Sequence, residues 1–139
     1  MFRTNAGSRV YLRDYAKQHA RGRTSYDLHL GKDGLVHPIK GDVFAGPNGC
    51  SLRPHGYMQQ EIVRNFDLPD TVIWQLKKGL KLPKNLVLYH EHTDHYSLQT
   101  RVPVTLDVLN TQLTDFFTRN CTAWTQKAWC DEFPFGYGS

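Results

Sequence analysis

Two stretches of different pattern lie back to back between Pro83 and Pro103, in the order "PKNLVLYHEHTDHYSLQTRVP". Pro83–Asn85 reads as a turn leading into the apolar run "LVLYH", which reads as a strand buried on both faces. "HYSLQTRV" (95–102) alternates instead. Tyr96 and Leu98 fall on one side, His95, Ser97 and Gln99 on the other. A chain built this way needs a sheet in its second half, and Pro103 ends the second strand.

The remaining segments supply helices and further strands. Thr105 can cap a helix whose buried stripe is Leu106, Leu109, Leu113, Phe116 and Phe117. Met58, Ile62 and Phe66 recur every four residues, so 57–66 reads as an amphipathic helix. "TVIWQL" (71–76) is β-branched and aromatic, which suits a strand. Ser8 can cap a helix over 9–20, and "YDLHL" (26–30) alternates like a short strand. "GKDGLVHP" and "GDVFAGPNG" are turn-forming segments, and the tail "FPFGYGS" reads as frayed. The order is α+β rather than alternating β/α.

A length of 139 residues, 40% apolar and 22% charged, is that of one globular domain over 1–139. No apolar run approaches a membrane span, and the opening "MFRTNAGSRVYLRDYAK" has no h-region. The expectation is a protein acting in the cytoplasm of a producing or target cell, with no membrane partner. Cys50, Cys121 and Cys130 fit no metal or redox spacing and read as ordinary thiols. Residues 1–23 hold Arg3, Arg9, Arg13, Lys17, Arg21 and Arg23 against Asp14 alone. That +5 out of a total of +4 leaves −1 for the remainder. It reads as a solvated face before it reads as an RNA-binding one.

"HEHTDH" (90–95) satisfies H-x-H-x-D-H, a spacing that supplies ligands for two zinc ions in metallo-hydrolases. Such a site needs three or four ligands per ion, with further histidines from elsewhere. The seven histidines are His19, His29, His37, His55, His90, His92 and His95, so none follows the motif. No metal is therefore expected. Polar residues at the join of two strands suit the lip of a ligand cleft instead.

"DGLVHP…GDVFAGPNGCSLRPHG…LPKNLVLYHEHTDHYSLQTRVPVTLDVLNTQLTDFF" resembles the type VI secretion exported toxin family of ADP-ribosyltransferase-like fold, closest to its fungal relatives. The resemblance covers about residues 31–120, and "MFRTN" matches the family's opening arginine motif. It implies an α+β split β-sandwich, two small facing sheets with flanking helices, with NAD as substrate in the cleft between them.

Three signatures follow from that resemblance. Arg3 and Asn5 on the first strand, with Arg53 and Tyr96, are the expected dinucleotide contacts. A guanidinium forks to phosphate or ribose oxygens. Ser51 in "GCSLRP" is the expected strand-edge hydroxyl beside the nicotinamide. "HYSL" occupies the place of the family's usual glutamate motif, so His95 stands where the carboxylate would be. Glu91 or Asp94 is the carboxylate available from the loop, and Gln99 lies on the His95 face. The resemblance thus implies an intracellular toxin that cleaves the nicotinamide–ribose bond of NAD. It would transfer ADP-ribose to an unknown macromolecule or to water, and an immunity protein would accompany it. The departure at His95 keeps a rival open, a nucleotide- or RNA-binding module that lost turnover with its glutamate.

Overall fold

The computed structural model describes residues 1–39 and 46–135. Its elements are β1 (Phe2–Ala6), α1 (Tyr15–Ala20), β2 (Cys50–Leu52), α2 (Tyr57–Asn65), β3 (Thr71–Gln75), β4 (Leu86–His92), β5 (His95–Thr100), α3 (Leu106–Asn120), β6 (Thr122–Thr125) and α4 (Gln126–Glu132). The strands form two antiparallel sheets, ordered β1-β3-β6 and β2-β5-β4. Two small sheets with helices around them are the α+β arrangement expected. Phe2 and Arg53 form an isolated bridge from β1 to β2, exchanging backbone hydrogen bonds of 2.7 and 3.0 Å.

Strand alternation sorts the side chains into layers. Cys50, Leu52, Leu86 and Leu98 of the second sheet and Trp74 of the first enter one core with Leu109, Leu113, Phe116 and Phe117 of α3. Thr105 caps α3 as the sequence suggests, its hydroxyl accepting from the Val108 N–H at 3.2 Å. On the opposite face of β1 and β3, Phe2 and Ile73 pack with Val63 of α2 and Trp129 of α4.

The first helix is shorter than expected. Asp14, not Ser8, caps α1, accepting from the Ala16 N–H at 3.0 Å. Residues 10–13 lie outside any helix, with Val10 and Leu12 buried and Tyr11 between them exposed, a period of two. Their N–H groups donate to Thr114 and Asn110 side chains on α3. Arg13 leaves the basic face to pair with nearly buried Asp27 at 3.0 Å, and that hydrogen bond raises the guanidinium pKa. "YDLHL" is not a strand. Leu28 makes one bridge to Asp14, and Asp27 spends its carboxylate on Arg13.

Three further expectations change. β4 is an edge strand, so Leu88 and Tyr89 remain exposed where burial on both faces was expected. β4 runs on past the "LVLYH" stretch to His92, so both His90 and His92 belong to it. β6 and α4 were not anticipated, and Phe133 after α4 packs edge-on to Phe2 at 5.2 Å, so the tail is anchored there. Residues 40–45 of "GDVFAGPNG" and its preceding lysine, and 136–139 of the tail, lie outside the described residues.

Leu113→Ala should destabilise the chain by about 2–5 kcal/mol, through lost burial and a residual cavity. Val108→Ala on the exposed side of the same helix should cost about 0.5 kcal/mol or less. Urea denaturation measures both. Equal effects would contradict the placement of the α3 stripe.

Candidate active site

The β4–β5 hairpin turns through Thr93 and Asp94, with Thr93 at φ 39°. Register runs regularly from Leu86↔Thr100 to His90↔Tyr96, then jumps to His92↔His95. Glu91 is the extra residue of a β-bulge. Such an insertion re-aims side chains. Paired residues share a face, so His92 faces with His95. Glu91 is on that face by simple alternation with Val87 and Tyr89, which pair with Gln99 and Ser97, so it lies beside Ser97 and Gln99.

The side chains there form one connected network. Ser97 Oγ donates to Glu91 Oε1 at 2.7 Å, and Gln99 Nε2 donates to Ser97 Oγ at 2.7 Å. Gln99 Nε2 also lies 3.4 Å from Glu91 Oε1, and Asn48 Nδ2 reaches Gln99 Oε1 at 3.4 Å. Every donor in this chain points toward the carboxylate. Gln99 is fully buried and Ser97 nearly so. Unpaired, such amides and hydroxyls would each cost about 1–3 kcal/mol, so the network has to close.

His95 joins the carboxylate to Ser51. Its Nδ1 lies 2.6 Å from Glu91 Oε2, and its Nε2 lies 3.0 Å from Ser51 Oγ. The Nδ1–Oε2 contact has ion-pair distance without hydrogen-bond alignment, and neither buried atom has another hydrogen-bond partner. A neutral ring protonated on Nδ1 leaves Nε2 to accept from the Ser51 hydroxyl. The order Glu91–His95–Ser51 can therefore polarise a hydroxyl or accept a proton.

The sequence-derived candidates divide between this network and its surroundings. Ser51, His95 and Gln99 are brought together, and β2 places Ser51 directly opposite Ser97. Arg53 lies at the rim, held by Asp94 at 2.7 Å. Of the two available carboxylates, Glu91 is thus in the network and Asp94 holds Arg53. Arg3 sits on the Trp74 side of β1, its Nε donating to Asn5 Oδ1 at 3.3 Å. Asn5 is buried and gives its amide to the Gly7 and Arg9 carbonyls, which fixes the following loop. Tyr96 is on the core face, away from Ser51 and His95, with its ring stacked on His90 at 4.3 Å. His90 Nε2 lies 2.6 Å from the Thr93 carbonyl oxygen, so this histidine staples the turn.

Cys50 is buried beside Ser51, and burial pushes its thiol up to about 11 despite the nearby Arg3 charge. It is a packing residue, not a nucleophile. A cavity of about 440 Å³ adjoins the far end of the network, lined by His29, His37, Pro38 and Asn48 among others. Glu91, His92 and His95 each present a donor atom, all within 4.8 Å of one another. Ser97 and Asn48 had no assigned place in the sequence-derived site, and Glu91 was named there only as a carboxylate available from the loop. Ser97 was legible as a neighbour of Gln99, and Glu91 by its parity with Val87 and Tyr89 once these pair with Gln99 and Ser97.

Two small antiparallel sheets with helices around them are the α+β ADP-ribosyltransferase-like arrangement. Residues 1–129 match the family model of the Tse2 ADP-ribosyltransferase toxin, and the chain belongs to that family. No curated protein and no solved structure matches it.

Gly49 links Asn48 to the network by close approach. A Cβ there would lie 2.3 Å from the Leu98 carbonyl oxygen and 3.0 Å from Gln99 Cγ. Gly49→Ala should therefore displace the Asn48 segment, lower the melting temperature and alter Gln99 amide and side-chain NMR shifts. Wild-type shifts and melting in that variant would refute the packing of residues 48–49 on β5.

Proposed function

We propose that the chain cleaves the nicotinamide–ribose bond of NAD and transfers ADP-ribose to a macromolecule inside a target cell. The observation that carries this reading is the buried Glu91 carboxylate, on one face with Ser51, His95 and Gln99. When the bond breaks, its electron pair leaves with the nicotinamide ring nitrogen, and positive charge develops on the ribose. A fixed carboxylate favours that state more than the ground state, which is the requirement for catalysis. Glu91 thus takes the part that the family's usual glutamate plays, from one strand earlier than His95.

His95 then has a different task. The acceptor's nucleophilic atom must lose a proton as it bonds to the ribose C1′. His95 Nε2, reached directly or through Ser51, is the base available for it. Gln99 and Ser97 position the carboxylate. Arg53 exchanges Asp94 for a substrate phosphate, and Arg3 approaches the dinucleotide from β1. Delivery by a type VI-like route and protection of the producer by an immunity protein belong to the same reading.

Nicotinamide release from NAD, measured on purified variants, tests it. Glu91→Gln should cut turnover by about 10²–10³-fold, the scale of removing one fixed transition-state contact. His95→Ala should abolish toxicity in cells at unchanged expression and melting temperature, while His90→Ala leaves most of it. Arg53→Ala should weaken NAD binding roughly ten- to hundred-fold, as for a charge-assisted contact of about 1.5–3 kcal/mol. NAD binding without nicotinamide release, in wild type as in Glu91→Gln, would instead mark a non-catalytic nucleotide module.

A further inference from the structure

We propose that Glu91, His92 and His95 form a capture site for a borderline divalent cation, Zn²⁺ above all, and that its occupancy shuts the catalytic face. The shutting rests on the proposed NAD chemistry, whereas the metal site itself does not. The ligand set is not the His90, His92 and His95 triplet that the spacing in "HEHTDH" suggests. His90 is turned to the opposite face, against Tyr96 and the Thr93 carbonyl.

The bulge builds the site. In a regular ladder Glu91 would oppose His95 and His92 would face away. The jump from His90↔Tyr96 to His92↔His95 leaves Glu91 on the His95 side and turns His92 to it as well. The His92 and His95 rings stack nearly parallel, 5.1 Å apart at 16°. One donor atom from each of the three residues then lies within 4.8 Å of the others. A tetrahedral zinc with bonds of about 2.0–2.2 Å holds its donors about 3.3–3.6 Å apart. Glu91 Oε2 and His95 Nδ1, 2.6 Å apart, must therefore open and His92 close in, by side-chain shifts on the order of 1 Å.

A second observation concerns the same ligand atoms. Glu91 Oε2 and His95 Nδ1 are buried in ion-pair contact at 2.6 Å, with no aligned hydrogen bond. Buried polar atoms of this kind are costly and call for an explanation. A shared cation would satisfy both. The opposite sides of the two groups are already held, Glu91 Oε1 by Ser97 and His95 Nε2 by Ser51, which fixes the free atoms as metal donors should be fixed. Two imidazoles and one carboxylate suit zinc, with water in the fourth place, far better than Ca²⁺ or Mg²⁺.

Occupancy opposes the proposed reaction. A dication at Glu91 cancels the negative charge that would offset the ribose cation. It also fixes His95 through Nδ1. The metal is thus an inhibitor, and a chelator restores activity.

Calorimetry with Zn²⁺ on the full chain, stripped beforehand with a chelator, tests the site without reference to NAD. The expected result is one ion per chain. His92→Ala should bind it at least about tenfold more weakly at an unchanged melting temperature. Nicotinamide release supplies the second readout. Zn²⁺ should inhibit the wild type reversibly, and His92→Ala should need at least about tenfold more of it. Absence of one-to-one binding overturns the proposal, as does equal affinity in His92→Ala. Binding without inhibition of an active chain overturns the switch. One-to-one binding that depends on His92, in a chain that releases no nicotinamide, supports the metal site and counts against the NAD reading alone.

Discussion

One extra residue in an edge strand organises the polar face of this protein. Without the bulge, β4 would pair with β5 in simple alternation, and His92 would lie across the sheet from His95. With it, Glu91 and His92 both stand beside His95. The carboxylate then collects Ser97 and Gln99 on one oxygen and faces the imidazole with the other. A buried carboxylate is tolerated only with such partners. The hairpin supplies them from its own second strand, and β2 adds Ser51 from the other side.

The apolar half of the same strands makes this arrangement rigid. Leu98 and Leu52 anchor β5 and β2 in the main core, so the residues between them must face the other way. Ser51, Ser97 and Gln99 are fixed in space by the packing of their neighbours, a sounder support for a site than a loop. The rim is held differently. Arg53 is paired with Asp94, a partly exposed ion pair that a stronger anion can displace. Rigid polar groups at the centre and an exchangeable cation at the edge suit a ligand with a reacting end and a phosphate-bearing middle.

Much of the frame was legible in the sequence because periodicity survives folding. The Leu109–Phe117 stripe and the alternation of 95–100 each announced their elements, and Thr105 announced a cap. α2 forms where Met58 and Ile62 suggested a helix, but it buries Gln59, Gln60 and Val63 and leaves Met58 exposed. Ser51, His95 and Gln99 could be grouped because strand faces follow from parity. Other features left no such mark. A bulge changes parity without changing composition, so nothing in the pattern put His92 beside Glu91 and His95. Val10 and Leu12 alternate within a stretch whose Leu, Ala and Tyr spacing also fits a helix, and α3 decides the matter by accepting their N–H groups. β6 and α4 are short, and pairing with β3 and packing on α2 define them more than their own pattern does.

The central claim is that Glu91, not His95, faces the ribose of NAD while His95 serves the acceptor side. A crystal structure of the chain soaked with NAD, or with a non-cleavable analogue, tests this most directly. The account predicts a Glu91 carboxylate oxygen within hydrogen-bond distance of a ribose hydroxyl of the nicotinamide half, with Ser51 beside the nicotinamide ring. A dinucleotide whose nicotinamide ribose lies away from Glu91, on the Tyr96 face or outside the β4–β5 hairpin, would contradict it.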